Sequence, residues 1–123
     1  MVKKIVVFYY MMLAFMAHNA YAKDINLTGF YKNEPCNISI KIVKNTSKTK
    51  YFYKIVDNNQ TKLQGYISSI KSNGESGFYI KFKKIDGMYE NGSIVIQNYG
   101  NSMNEYNHFE DCDSKYLKFD KLP

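Results

Sequence analysis

Apolar and polar residues alternate in short runs along most of the chain beyond residue 24. The clearest run, residues 36–43, has the sequence C-N-I-S-I-K-I-V, which places a cysteine and three isoleucines on one side. A period of two residues is typical of a half-buried β-strand. The same alternation predicts further strands over residues 25–31, 51–55, 63–70, 78–82, 93–97 and 116–119.

Polar, turn-forming residues separate these runs. The pair Asn91-Gly92 is the strongest hairpin signal, because both residues tolerate the positive φ of a type I′ turn. No stretch has a sustained helical period, although one short helix between Asn101 and Phe109 stays an alternative. The pattern therefore predicts an all-β, antiparallel meander of seven or eight strands that forms a small barrel or a sandwich.

The N-terminal residues predict export from the cytoplasm. Lys3 and Lys4 precede an uncharged apolar run over residues 5–17, which is shorter than the roughly 20 residues that span a bilayer as a helix. The small residues of Ala20-Tyr21-Ala22 then suit a signal peptidase. We expect residues 1–22 to be a cleaved signal peptide and residues 23–123 a single periplasmic or secreted domain with no stable membrane anchor. A retained N-terminal anchor is the alternative.

Loss of residues 1–22 changes the charge of the protein. All 17 basic residues are lysines, and two of them leave with the signal while all 11 acidic residues stay, so the net charge falls from +6 to +4. The absence of arginine argues against nucleic acid as a partner, because bidentate contacts to guanine and phosphate rely on the guanidinium group. The remaining basicity still permits weak binding to an acidic surface such as anionic lipid, cell-wall polymer or an acidic protein.

Two cysteines, Cys36 and Cys112, remain after cleavage. An even number of cysteines in an exported domain predicts a disulfide, which here closes a loop over most of the domain. Two unpaired, buried thiols are the alternative.

The usual components of an active site are missing from residues 23–123. His108 is the only histidine there, and no P-loop, dinucleotide-binding motif or nucleophile elbow is present. A triad of Ser102, His108 and Asp111 or Asp113 is conceivable but has no local signature. We therefore expect no enzyme activity, no cofactor and no metal. The carboxylates of residues 110–113 could instead contribute to a Ca²⁺ site, or form a solvated acidic loop or an acidic patch for a basic partner.

The segment over residues 97–106 has the most unusual composition, Q-N-Y-G-N-S-M-N-E-Y. Tyrosines with asparagines and small residues are typical of paratopes, where they combine contact area with adaptable hydrogen bonds. A compact Ω-type loop whose tyrosines only cover the end of a barrel is an equal alternative. If the segment binds a partner, the candidate contact residues within it are Tyr99, Asn101, Asn104 and Tyr106. Those that follow it are His108, Glu110 and Asp111.

The general plan resembles the small periplasmic β-barrel proteins of Gram-negative bacteria, among them the C-type lysozyme inhibitors. Those proteins have a signal peptide, a short mature chain, an antiparallel barrel and a disulfide near the C-terminus. Their inhibitory loop carries S-G-x-x-Y, whereas here Ser76-Gly77-Phe78-Tyr79 has the tyrosine one position early. The resemblance is thus architectural, and no inhibitory residue is transferred to this chain.

These observations favour a non-enzymatic exported protein that binds a protein partner, as an inhibitor or an immunity protein does. A small-ligand or lipid carrier built on a β-barrel is the second hypothesis. A secreted effector or hydrolase that acts through His108 is the third.

Overall fold

A computed structural model describes residues 25–45 and 50–123 of the chain, so the predicted signal peptide lies outside the described residues. These residues form strands and connecting turns and contain no helix. The described residues therefore contain no helix that is long and apolar enough to cross a membrane. The eleven strands are β1 (Gly29–Asn33), β2 (Ile38–Asn45), β3 (Lys50–Asp57), β4 (Gln60–Tyr66), β5 (Ser69–Ser72), β6 (Phe78–Phe82), β7 (Ile85–Glu90), β8 (Ser93–Gln97), β9 (Tyr99–Asn101), β10 (Asn104–Asn107) and β11 (Tyr116–Lys121).

Nine of these strands form one antiparallel sheet in the order β4-β3-β2-β1-β11-β8-β7-β6-β5. The two edge strands, β4 and β5, are consecutive in the chain and are joined by Ile67 and Ser68. The Ile67 N–H donates to the Tyr51 carbonyl at 2.9 Å, and the Ser68 N–H donates to the Lys81 carbonyl at 3.1 Å. Because the two edges meet at this corner, the sheet curls into a half-barrel, which confirms the predicted all-β antiparallel fold.

The inner face of the curled sheet is filled by apolar side chains. Isoleucines from β2, β3, β6, β7 and β8 are at most 1% exposed, and the ring of Tyr53 packs edge-on against Phe82 with their centroids 4.9 Å apart. Each residue on this face is flanked in sequence by neighbours that point outward, as the alternating pattern predicts. Burial of these large side chains supplies the main driving force for folding.

The predicted hairpin at Asn91-Gly92 is confirmed. The two residues connect β7 to β8 with φ values of 51° and 79°, and Glu90 pairs with Ser93 across the turn. Asn58 and Asn59 connect β3 to β4 in the same way, with φ values of 50° and 68°. Asparagine accepts this left-handed backbone conformation more readily than most residues.

The structure also confirms the Cys36–Cys112 disulfide, with the two Cα atoms 5.7 Å apart and 76 residues apart in sequence. It links the turn before β2 to the loop before β11. Chain-entropy arithmetic gives about 4.5 kcal/mol of stabilisation for a loop of this length.

Residues 99–107 depart from the sequence-based alternative of a short helix. They form β9 and β10, a two-stranded sheet separate from the nine-stranded one. The seven predicted strands become eleven because β7, β9 and β10 were not among them and because the fourth is divided into β4 and β5.

Candidate functional site

The hairpin of β9 and β10 is a two-stranded sheet separate from the half-barrel, and one of its own side chains fixes its turn. Asn101 pairs with Asn104, and Tyr99 pairs with Asn107 across an irregular ladder. The Asn101 Oδ1 accepts hydrogen bonds from the N–H groups of Met103 at 3.0 Å and Asn104 at 3.1 Å. This asparagine-centred turn holds Met103 at the tip, where the side chain is 95% exposed.

Gly100 lets the two arms of the hairpin approach closely. A Cβ at this position would collide with the carbonyl oxygen of Asn104 and would lie 2.9 Å from the ring of Tyr106. The Tyr106 ring therefore lies directly across Gly100. Any larger residue would displace that ring and separate the strands.

Asn98, at the base of the hairpin, is completely buried and fully hydrogen-bonded. Its Nδ2 lies within hydrogen-bonding distance of the carbonyls of Phe109 at 3.2 Å, Cys112 at 2.8 Å and Ser114 at 3.1 Å, so its two hydrogens are shared among three acceptors. Its Oδ1 accepts from the N–H of Phe109 at 2.8 Å. One side chain thus pairs with four backbone groups of the segment that follows the hairpin, and the Phe109 carbonyl also accepts from the Cys112 N–H at 3.1 Å. Such groups would be costly to bury unpaired.

The backbone of Asn98 continues the same network. Its N–H donates to the Lys115 carbonyl at 2.6 Å, and its carbonyl accepts from the His108 N–H at 2.8 Å. Since Cys112 is also held by the disulfide to Cys36, the base of the hairpin is fastened to the main sheet both covalently and by hydrogen bonds.

His108 is half-buried where the hairpin returns to the main sheet. Its ring lies 4.9 Å from the ring of Tyr106, with 35° between the two planes. Burial lowers the pKa of His108 below its usual value, the positive charges of Lys62 and Lys84 lower it further, and Asp86 opposes them. Together these effects favour the neutral form of the imidazole.

A β-bulge places Lys62 beside the segment that follows the hairpin. The pairing of β3 with β4 shifts register between Ile55 and Val56, so that Ile55 faces Leu63 and Val56 faces Thr61. Lys62 is the extra residue, and its Nζ lies 5.2 Å from the centroid of the Phe109 ring. Bulges commonly redirect one side chain in this way beside functional sites.

A polar cleft of about 260 Å³ lies beside this lysine, between the β3–β4 turn and the segment after the hairpin. Carboxylates, an ammonium group, a hydroxyl and two amides line it, from Asp57, Asn58, Gln60, Thr61, Lys62 and Asp111. Hydrogen-bond donors and acceptors, with charges of both signs, suit the polar side chains of a protein partner.

The structure places most of the predicted contact residues on the hairpin or beside the cleft. Tyr99, Asn101, Asn104 and Tyr106 lie on the hairpin, His108 stacks on Tyr106, and Asp111 lines the cleft. Glu110 is exposed on the same segment but does not line the cleft. Asn101 differs from the expectation in one respect, because its side-chain oxygen is used within the turn.

Two residues of the site were not found from the sequence. Asn98 had a detectable signal, because it continues the inward alternation of Ile94 and Ile96 and is therefore a polar residue at a core position. No sequence signal marked Lys62, because a bulge depends on how two strands pair and not on the sequence of one of them.

In residues 25–45 and 50–123, no three His, Cys, Asp or Glu side chains are grouped so that they could hold a metal ion.

Comparison of the chain with protein-family models, with curated proteins and with solved structures returns no match in any of the three. The functional interpretation therefore rests on the geometry of the hairpin, the segment that follows it and the polar cleft.

Proposed function

We propose that the protein is an exported, non-enzymatic binding module whose hairpin of β9 and β10 engages a protein partner, as an inhibitor or an immunity protein does. The observation that carries the proposal is the contrast between the tip and the base of the hairpin. Met103 is 95% exposed at the tip, whereas Asn98 is completely buried and hydrogen-bonded at the base. A contact surface that is fixed before binding loses less conformational entropy on association.

The chemistry of the exposed residues supports a protein as the partner. Methionine and tyrosine offer adaptable apolar contact, and the exposed amide of Asn104 offers a donor and an acceptor. The cleft beside Asp111 adds charged groups at the rim of the same surface. An apolar and aromatic centre with a polar rim is the usual composition of protein interfaces.

The surroundings of His108 favour binding over catalysis. Its ring stacks on Tyr106, and the charges that act on it most strongly are the cations Lys62 and Lys84. Within the described part of the chain, its side chain makes no hydrogen bond to Ser102, Asp111 or Asp113. A nucleophile–base–carboxylate arrangement needs such bonds.

The interior of the half-barrel gives no support to a carrier of small ligands. Phe82, Phe119 and the core isoleucines fill it, and each is at most 1% exposed. A carrier would need an open apolar cavity in this position.

Site-directed crosslinking tests the proposal. A photo-reactive amino acid placed at Met103 should crosslink one specific partner when the protein is expressed in its own cells. The same probe at Tyr79, which is 54% exposed on β6, is the matched control and should give little of that product. Equal crosslinking at both positions, or none at Met103, would overturn the assignment of the hairpin.

Affinity measurements with that captured partner complete the test. A charge at the tip, in Met103→Glu, should weaken binding by about 2 kcal/mol or more if Met103 is a central contact. Lys118→Glu, on the exposed face of β11, should leave the affinity unchanged. A Met103→Glu variant that binds normally would contradict the proposal.

A further inference from the structure

The outer face of β1–β4 is a second surface, separate from the hairpin. Cross-strand register places Phe30 beside Lys41, Lys41 beside Lys54, Val43 beside Phe52, and Phe52 beside Tyr66. We call this surface the lysine face, and it consists of Phe30, Lys41, Val43, Phe52, Lys54 and Tyr66.

The positive charge of the lysine face is not balanced. Lys41 and Lys54 are both exposed and lie directly opposite each other on β2 and β3. The one ion pair among residues 25–45 and 50–123 joins Lys118 to Asp120, at 3.7 Å and on β11. Like charges directly opposite on adjacent strands oppose folding. An anion seated between the two ammonium groups would relieve that repulsion.

The surrounding sequence adds to this imbalance. Residues 25–66 contain seven lysines and two carboxylates, whereas residues 67–123 contain seven lysines and eight carboxylates. The positive potential of the protein is therefore concentrated on the half that carries the lysine face.

Large apolar side chains are exposed beside the paired lysines. Phe30 is 41% exposed, Val43 41% and Tyr66 44%, and the Tyr66 ring packs edge-on against Phe52 with centroids 5.6 Å apart. Single exposed apolar residues are ordinary, but here they lie on one face with a lysine pair among them. Lysines with aromatic neighbours are typical of surfaces that contact the headgroup region of a membrane.

We propose that the lysine face binds reversibly to an anionic phospholipid surface. The sheet is curled with this face outward, so it presents no groove for a peptide. Strands β1, β2 and β3 are paired on both sides, so they cannot accept an added strand from a protein partner. Lysine is a compact point charge that suits diffuse headgroup charge, and the chain has no arginine for bidentate phosphate recognition.

The expected strength follows from the two lysines. Each lysine near an anionic membrane contributes about five-fold in affinity, so the pair contributes roughly thirty-fold. This part of the binding should weaken as salt is added, because the charges are exposed and screened.

Vesicle sedimentation with the full chain tests the proposal. Vesicles of phosphatidylcholine with about one third phosphatidylglycerol are compared with pure phosphatidylcholine, using wild type and Lys41→Gln/Lys54→Gln. The matched control is Lys71→Gln/Lys81→Gln, which removes the same charge from the exposed surface of β5 and β6. The N-terminal residues are identical in all three chains, so their membrane affinity cancels in the comparison.

We expect the Lys41/Lys54 variant to bind anionic vesicles roughly thirty-fold more weakly and the control variant to bind nearly as wild type. Acetylation footprinting of the wild-type chain should show vesicle-dependent protection of Lys41 and Lys54, without protection of Lys71 and Lys81. Equal loss in both variants, or no protection of the lysine face, would overturn the proposal. A soluble polyglutamate peptide that protects Lys41 and Lys54 as well as the vesicles do would assign the face to an acidic protein instead.

Discussion

The hairpin of β9 and β10 and the lysine face are both exposed, but they are held by different interactions. In the hairpin, polar groups are paired internally: Asn101 closes the turn, and buried Asn98 pairs with four backbone groups below it. On the lysine face, Lys41 and Lys54 lie opposite each other without a carboxylate partner among the described residues, above a core of isoleucines.

The two surfaces should therefore respond differently to substitution. The hairpin owes its conformation to buried hydrogen bonds, so changes at its base should alter its structure and the stability of the domain. The lysine face owes its conformation to the core beneath it, so changes in its charge should alter binding and electrostatic energy but leave the fold intact.

The largest effect is expected at Asn98. In Asn98→Ala, the carbonyls of Cys112 and Ser114 and the N–H of Phe109 lose their side-chain partner, whereas the Phe109 carbonyl keeps its hydrogen bond from the Cys112 N–H at 3.1 Å. Each unsatisfied buried group costs about 1–3 kcal/mol, but water and relaxation recover part of this, so we expect about 3 kcal/mol of lost stability. Urea unfolding of the oxidised chains measures the difference.

Asn101→Ala is the matched control within the hairpin. It removes two hydrogen bonds that lie at an exposed turn, where water can replace them, so it should cost less than about 1 kcal/mol. If both variants lose the same stability, the buried network at Asn98 is not what holds the base of the hairpin.

A smaller effect of opposite sign is expected on the lysine face. Lys41→Glu replaces the repulsion with Lys54 by an attraction across the strand pair. Exposed cross-strand pairs of this kind contribute about 0.5–1 kcal/mol, so the variant should be more stable than wild type at low salt. Thermal unfolding at two salt concentrations measures this, because added salt should reduce the gain.

Lys71→Glu provides the comparison for that gain. Its cross-strand neighbour on β6 is Tyr79, so the substitution changes the net charge equally without removing a facing lysine. A similar stabilisation in both variants would attribute the effect to net charge and not to the Lys41–Lys54 pair.

Sequence patterns predicted the main sheet better than the hairpin. The alternation in residues 36–43 and the Asn91-Gly92 turn are local signals, and both correspond to observed elements. The composition of residues 97–106 made the segment a candidate for partner binding but did not predict its β-hairpin, because its short polar strands bury too little apolar surface to show a period. Contacts that join distant elements, such as Lys62 over Phe109, depend on a bulge and on closure of the sheet.

The smallest effect is the pH dependence expected from His108, which is influenced by charges on β4 and around the start of β7. Burial and the cations Lys62 on β4 and Lys84 in the β6–β7 turn lower its pKa, and Asp86 on β7 raises it. Because the pKa in the folded chain lies below the unfolded value of about 6.5, the unfolded chain binds more protons between those two values. Its contribution to stability is therefore complete above about pH 6.5 and is lost as the pH falls through that window.

Replacement of the histidine isolates this contribution. His108→Gln should lose less stability than wild type on acidification from about pH 7.5 to about pH 5, as measured by urea unfolding. In an NMR titration, the His108 pKa should lie below 6.5 in wild type and should rise in Lys62→Gln, because a positive charge beside the ring has been removed. Lys41→Gln removes a lysine that does not act on His108, and it should leave the titration unchanged. A His108 pKa that responds equally to both substitutions would mean that the bulge does not bring Lys62 close to His108, and the polar cleft would then not belong to the same surface.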